Sequence, residues 1–67
     1  MQVKYDKETD ILTIKLSDKY PVESEHLEDK DVILDFDDKD NIVGVEILNW
    51  SKKAKIEIPI VGKLTST

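Results

Sequence analysis

The sequence predicts a mainly β fold, a small antiparallel β-meander of five to six short strands, curled or barrel-like, with α+β as the alternative. Apolar residues recur at every second position along most of the chain, which is the spacing of strands with one buried face. The segments between these runs are short and polar, so neighbouring strands in sequence are expected to pair locally. No segment carries helical periodicity long enough to form a covering helix. With 67 residues the chain is one small domain, read as a β body over residues 1–48 followed by a turn, an edge strand and a frayed tail over 49–67.

The elements follow from the pattern in order. Val3 and Tyr5 alternate with Gln2, Lys4 and Asp6, and Leu12, Ile14 and Leu16 alternate with Thr13, Lys15 and Ser17. The polar stretch from Asp6 to Asp10 closes a hairpin, and its lack of glycine leaves the turn type open. Ser17 to Val22 form a loop, because Pro21 cannot donate to a ladder and biases Tyr20 toward an extended backbone. A weaker strand runs from Val22 to Glu28. Val32, Leu34 and Phe36, then Val43, Val45 and Ile47, make the clearest hairpin, turning through Asp38-Lys39-Asp40-Asn41. Beyond Leu48 the alternation breaks, and residues 49–55 read as a turn or a short helical turn capped by Asn49 or Ser51. Ile56, Ile58 and Ile60 resume period two with Pro59 on the other parity, as in an edge strand or covering segment.

Eleven residues form the expected inward set: Val3, Tyr5, Leu12, Ile14, Leu16, Val32, Leu34, Phe36, Val43, Val45 and Ile47. That core is thin for an isolated chain. Ile11, Ile33, Ile42 and Leu48 fall on the opposite parity, and a homodimer that covers them would account for both features.

Two segments resemble a known family. Tyr5-Asp6-Lys7-Glu8-Thr9-Asp10-Ile11-Leu12-Thr13-Ile14-Lys15-Leu16 is similar to the opening Y-D-x-E-x-D-x-L-x-I-x-L of the small bacterial and archaeal proteins grouped as domain of unknown function 2283. Val32-Ile33-Leu34-Asp35-Phe36-Asp37 with Asn41-Ile42-Val43-Gly44-Val45-Glu46-Ile47-Leu48-Asn49 resembles that family's V-I-L-D-Y-D turn and I-V-G-I-E-I-L-N segment. The resemblance covers residues 3–51 in the right order. It implies a small β-rich intracellular domain and no established activity. The family's turn commonly carries Asp-Gly where this chain has Lys39-Asp40, and residues 52–67 lie outside the resemblance.

Composition narrows the functional classes. Fifteen acidic residues against ten lysines and no arginine give a net charge of -5, which lacks the basic footprint of a nucleic-acid binder. The absence of cysteine removes disulfides, thiolate nucleophiles and cysteine-ligated metals. Charges at Lys4, Asp6, Lys7, Glu8 and Asp10 interrupt any apolar leader, and no stretch approaches the ~18 apolar residues of a membrane span. A soluble, cytoplasmic protein without cofactors is expected. The charge is unevenly spread: residues 1–46 hold fourteen acidic and six basic side chains, a balance of -8, and residues 47–67 hold one and four, a balance of +3.

The acidic crowding gives the sharpest candidate chemistry. Asp35, Asp37, Asp38, Asp40 and Glu46 could supply oxygens to a hard cation, as in a small metal-dependent hydrolase. Lys39 occupies a ligand position of the EF-hand spacing, however, and the same residues suit an ordinary solvated hairpin, which is the commoner outcome. The lone His26 reads as a surface histidine, Gly44 as a bulge or close backbone contact, and Glu46 as a solvent-facing carboxylate beside a lysine. Trp50, next to Lys52, Lys53 and Lys55, suits an interface anchor or a plug for one end of the sheet. The functional expectation is a non-catalytic interaction module forming a homodimer, with Trp50, Ile56, Ile58 and Ile60 as interaction residues. The alternatives are an acidic partner that neutralises a basic, toxin-like protein, and the metal-dependent hydrolase.

Overall fold

The computed structural model describes residues 1–53. Strands β1 (Gln2–Asp6), β2 (Ile11–Lys15), β3 (Glu23–Leu27), β4 (Val32–Phe36) and β5 (Ile42–Ile47) form one antiparallel sheet in the order β1-β2-β5-β4-β3. The mainly β class is the one the alternation predicts, as a single open sheet that does not close into a barrel. No helix among the described residues is long and apolar enough to cross a membrane.

The hairpins β1–β2, β3–β4 and β4–β5 pair locally. The connection from β2 to β3 departs from a meander. It carries the chain past the ends of β5 and β4 to the far edge, so β2 pairs with β5 and strands β2 to β5 form a Greek key. Apolar burial explains the order. β5 holds Val43, Val45 and Ile47, all at most 3% exposed, and it takes the centre, whereas the charge-rich β1 and β3 take the edges. The crossing is held by Leu16 and Ser17 N–H groups donating to the Val43 carbonyl (2.8 and 3.3 Å) and by Val22 N–H donating to the Phe36 carbonyl (2.8 Å).

The glycine-free turns use carboxylates and the left-handed backbone. Asp6 Oδ1 accepts from the N–H groups of Glu8 (3.0 Å) and Thr9 (3.5 Å), and Asp10 leaves the turn at φ 59°. Asp40 has φ 62° in the turn between β4 and β5, a conformation that aspartate tolerates better than most residues. Past β5, the short helical turn is a single 3-10 turn, Trp50–Lys52. Neither Asn49 nor Ser51 provides a side-chain cap for it; Asn49 enters left-handed at φ 52° and turns its amide elsewhere.

The core is the cluster of Val32, Leu34, Val45 and Ile47, against which Leu12, Ile14, Leu16, Leu27, Phe36, Ile42 and Trp50 pack. Two of the expected inward residues differ. Val3 and Tyr5 lie on the core-facing side, opposite Ile14 and Leu12, yet remain 58% and 43% exposed because β1, among the described residues, is an edge with one neighbour. A bulge reassigns one residue of the opposite set: Asp35 faces Gly44 but Phe36 faces Ile42, so Ile42 turns to the core, while Val43, the extra residue, stays buried as expected. Of the apolar set expected on the outer face, Ile11, Ile33 and Leu48 are half-buried there or beyond the strand, and Ile42 is not part of it.

Candidate functional site

Cross-strand register sorts the polar side chains of the outer face into rows. One row runs Lys4, Thr13, Glu46, Ile33, His26, and the next runs Gln2, Lys15, Gly44, Asp35, Ser24. Asp35 and Glu46 meet across these rows. Asp35 lies over Gly44, where an added Cβ would stand 3.2 Å from its Oδ2, and Ser24 Oγ donates to its Oδ1 at 2.7 Å. Glu46 is half-buried, and burial together with its hydrogen bond to Asp35 and the charge there raises its pKa above the ordinary 4.5. Its cross-strand neighbours are Thr13 and Ile33 and its hydrogen-bonding neighbour is Asp35, where the sequence suggested a carboxylate beside a lysine.

The hairpin carboxylates are separated by the fold. Asp37 is buried at 3% exposure; its Oδ1 accepts from the N–H groups of Lys39 (2.8 Å) and Asn41 (2.9 Å), and its Oδ2 from the Asn41 amide (3.2 Å). These donors, the Asn41 N–H foremost, hold its carboxyl below the usual range, and Lys19 Nζ adds a contact at 3.8 Å. Asp38 and Asp40 stand exposed at the tip, and Asp35 belongs to the outer face. Among the described residues no group of three or more His, Cys, Asp or Glu side chains is arranged to hold a metal ion. What the carboxylate of Asp37 does chemically is close its own turn.

Two further aspartates fasten the chain beyond β5 across one end of the sheet. Asp10 Oδ1 accepts from Tyr5 Oη (2.6 Å) and Ser51 N–H (3.1 Å), its Oδ2 accepts from Ser51 Oγ (2.7 Å), and its carbonyl accepts from Trp50 N–H (3.1 Å). Asp31, at φ 54°, accepts on Oδ2 from the Asn49 amide and from Lys53 Nζ, both at 3.3 Å, while its carbonyl accepts from Leu48 N–H (2.8 Å). Both carboxyls are held below their usual range, Asp10 chiefly by the Tyr5 hydroxyl and Asp31 chiefly by the Asn49 amide. Between these clamps Trp50 packs half-buried against the core. The ion pair of Lys53 with Asp31 is a local form of the attraction between acidic body and basic C-terminal part.

Trp50 therefore fills one end of the core, and Ile56, Ile58 and Ile60 lie outside the described residues. The sequence reading missed Asp10 and Asp31, although the Tyr5 to Asp10 spacing across a hairpin was a visible signal. It also missed the Asp35–Glu46 pair, which parity alone places on one face beside Gly44. An apolar strip also stands exposed. Val3 and Tyr5 show hydrophobic surface on the core side of an edge strand whose five residues are all exposed.

No curated protein and no solved structure matches the chain. A family model described as protein of unknown function (DUF2283) matches residues 2–51, which takes in all five strands, the Asp10 clamp, the Asn49 contact of Asp31 and the Asp35–Glu46 pair. The chain belongs to that family.

Proposed function

We propose that the protein is a non-catalytic interaction module of the cytoplasm that acts as a homodimer. The observation that carries this reading is the uncovered apolar strip on β1: Val3 and Tyr5 continue the core-facing side of the sheet beyond β2 and stay 58% and 43% exposed. The carboxylates with the richest hydrogen bonding, Asp10, Asp31 and Asp37, are engaged in turns and clamps, which suits a scaffold for binding better than acid-base chemistry. Sedimentation velocity from low to high micromolar concentration tests the reading. A concentration-dependent dimer that Val3→Glu converts to a folded monomer is expected, and a wild-type chain that stays monomeric throughout contradicts it.

A second reading, an acidic partner for a basic protein, is favoured by a different edge. Glu23, Glu25, Glu28 and Asp29 are exposed along β3 and the 3-10 turn that follows. With poly-lysine as the probe, binding that weakens with salt and falls when Glu23 and Glu25 are changed to Gln supports it; binding indifferent to both removes it.

A further inference from the structure

Resting on the homodimer reading, we propose that two copies join edge to edge through β1, antiparallel about a two-fold axis at Tyr5, to form one continuous ten-stranded sheet. Among the described residues the sheet has two free edges, β1 and β3. In an antiparallel union of a strand with its own copy, the numbers of facing residues have a constant sum, and only even sums keep the apolar sides together. For β1 an axis at Tyr5 places Tyr5 against Tyr5 on the core-facing side and Lys4 against Asp6, twice, on the other. An axis at Lys4 sets Lys4 against Lys4, and an axis at Val3 leaves Lys4 against the uncharged Gln2. Only the Tyr5 axis both stacks the exposed aromatic rings and matches opposite charges, the cross-strand pairs that favour sheets. Tyr5 is also held in place beforehand, since its hydroxyl donates to Asp10 at 2.6 Å.

The other edge is guarded against the same union. An axis at Glu25 opposes Glu25 to Glu25, one at Ser24 opposes Glu23 to Glu25, and one at His26 sets Glu25 against the apolar Leu27. Joining β1 of one copy to β3 of another would make a parallel contact that propagates without closing, because all four pairings between them are antiparallel and leave β1 and β3 running the same way. A closed pair through β1 is the solution that the two edges permit.

Charge reversal on the full chain at low salt tests the register. Lys4→Asp and Asp6→Lys each create two like-charge contacts and are expected to weaken the dimer about tenfold, whereas the double variant restores association. Asp6 also serves its turn, so a second measurement stands beside this one. The chain has no cysteine, so Tyr5→Cys should form a disulfide-linked dimer on oxidation and Lys4→Cys should not. A wild-type dimer insensitive to both reversals, or linked through Lys4→Cys and not Tyr5→Cys, overturns this interface and leaves the homodimer reading standing. A monomeric wild type overturns both.

Discussion

Asp37 illustrates why carboxylates in this chain are hard to assign from residue type. A cation loop and a hairpin turn draw on the same short acidic side chains, and what separates them is whether backbone N–H groups already occupy the oxygens. Here they do, with the N–H groups of Lys39 and Asn41 on one oxygen and the Asn41 side-chain amide on the other. Asp37→Ala should therefore lower the thermal midpoint clearly, while Asp38→Ala at the exposed tip should leave it nearly unchanged; parallel melts by circular dichroism check this. Titration separates the remaining acids by sign. Asp10, Asp31 and Asp37 have carboxyls held below the ordinary 3.8, so they contribute stability above that pH and lose it as pH falls through their lowered values. Glu46 is the reverse: its raised pKa favours the protonated form in the fold, so its contribution is present below about pH 4.5 and is lost as pH rises through the raised value. Glu46→Gln, which imitates the protonated acid, is expected to raise the midpoint at pH 7 and to leave it little changed at pH 4. An equal effect at both values would contradict the raised pKa of Glu46.

Strands were legible because alternation is a local property. Each β segment sits close to its expected place, including the weak one that becomes β3 at Glu23–Leu27. Strand order was not legible, since the choice between β3 and β5 as the partner of β2 depends on which strand has more apolar surface to bury from both sides. Once β5 takes the centre, two local oddities acquire reasons. The bulge beside Asp35 turns Ile42 to the core, and Gly44 makes room for the Asp35 carboxylate. Gly44→Ala should therefore be destabilising: the new methyl would press on an oxygen that belongs to a side chain already tied to Ser24. The turn between β4 and β5 holds a gain in reserve. Asp40 occupies the left-handed region, so Asp40→Gly should raise the thermal midpoint by a few degrees.

For the whole molecule the small core sets the terms. A domain of this length has a total stability of about 3–10 kcal/mol, taking ~0.05–0.15 kcal/mol per residue, and truncating a buried isoleucine costs about 2–5 kcal/mol. Ile47, 1% exposed at the centre of the cluster, is the test case: Ile47→Ala should remove much of the cooperative denaturant transition. Such a margin makes association valuable, because a partner that binds only the folded chain stabilises it in proportion to concentration. The charge distribution points the same way, with Lys4 and Asp6 on one free edge and carboxylates on the other. Hydrogen exchange of backbone amides on β1 and β3, measured at low and high protein concentration, tests the central claim most directly. Union through β1 predicts that β1 amides gain protection as concentration rises while those of β3 do not. Exchange on β1 that is as fast at high concentration as at low would contradict it.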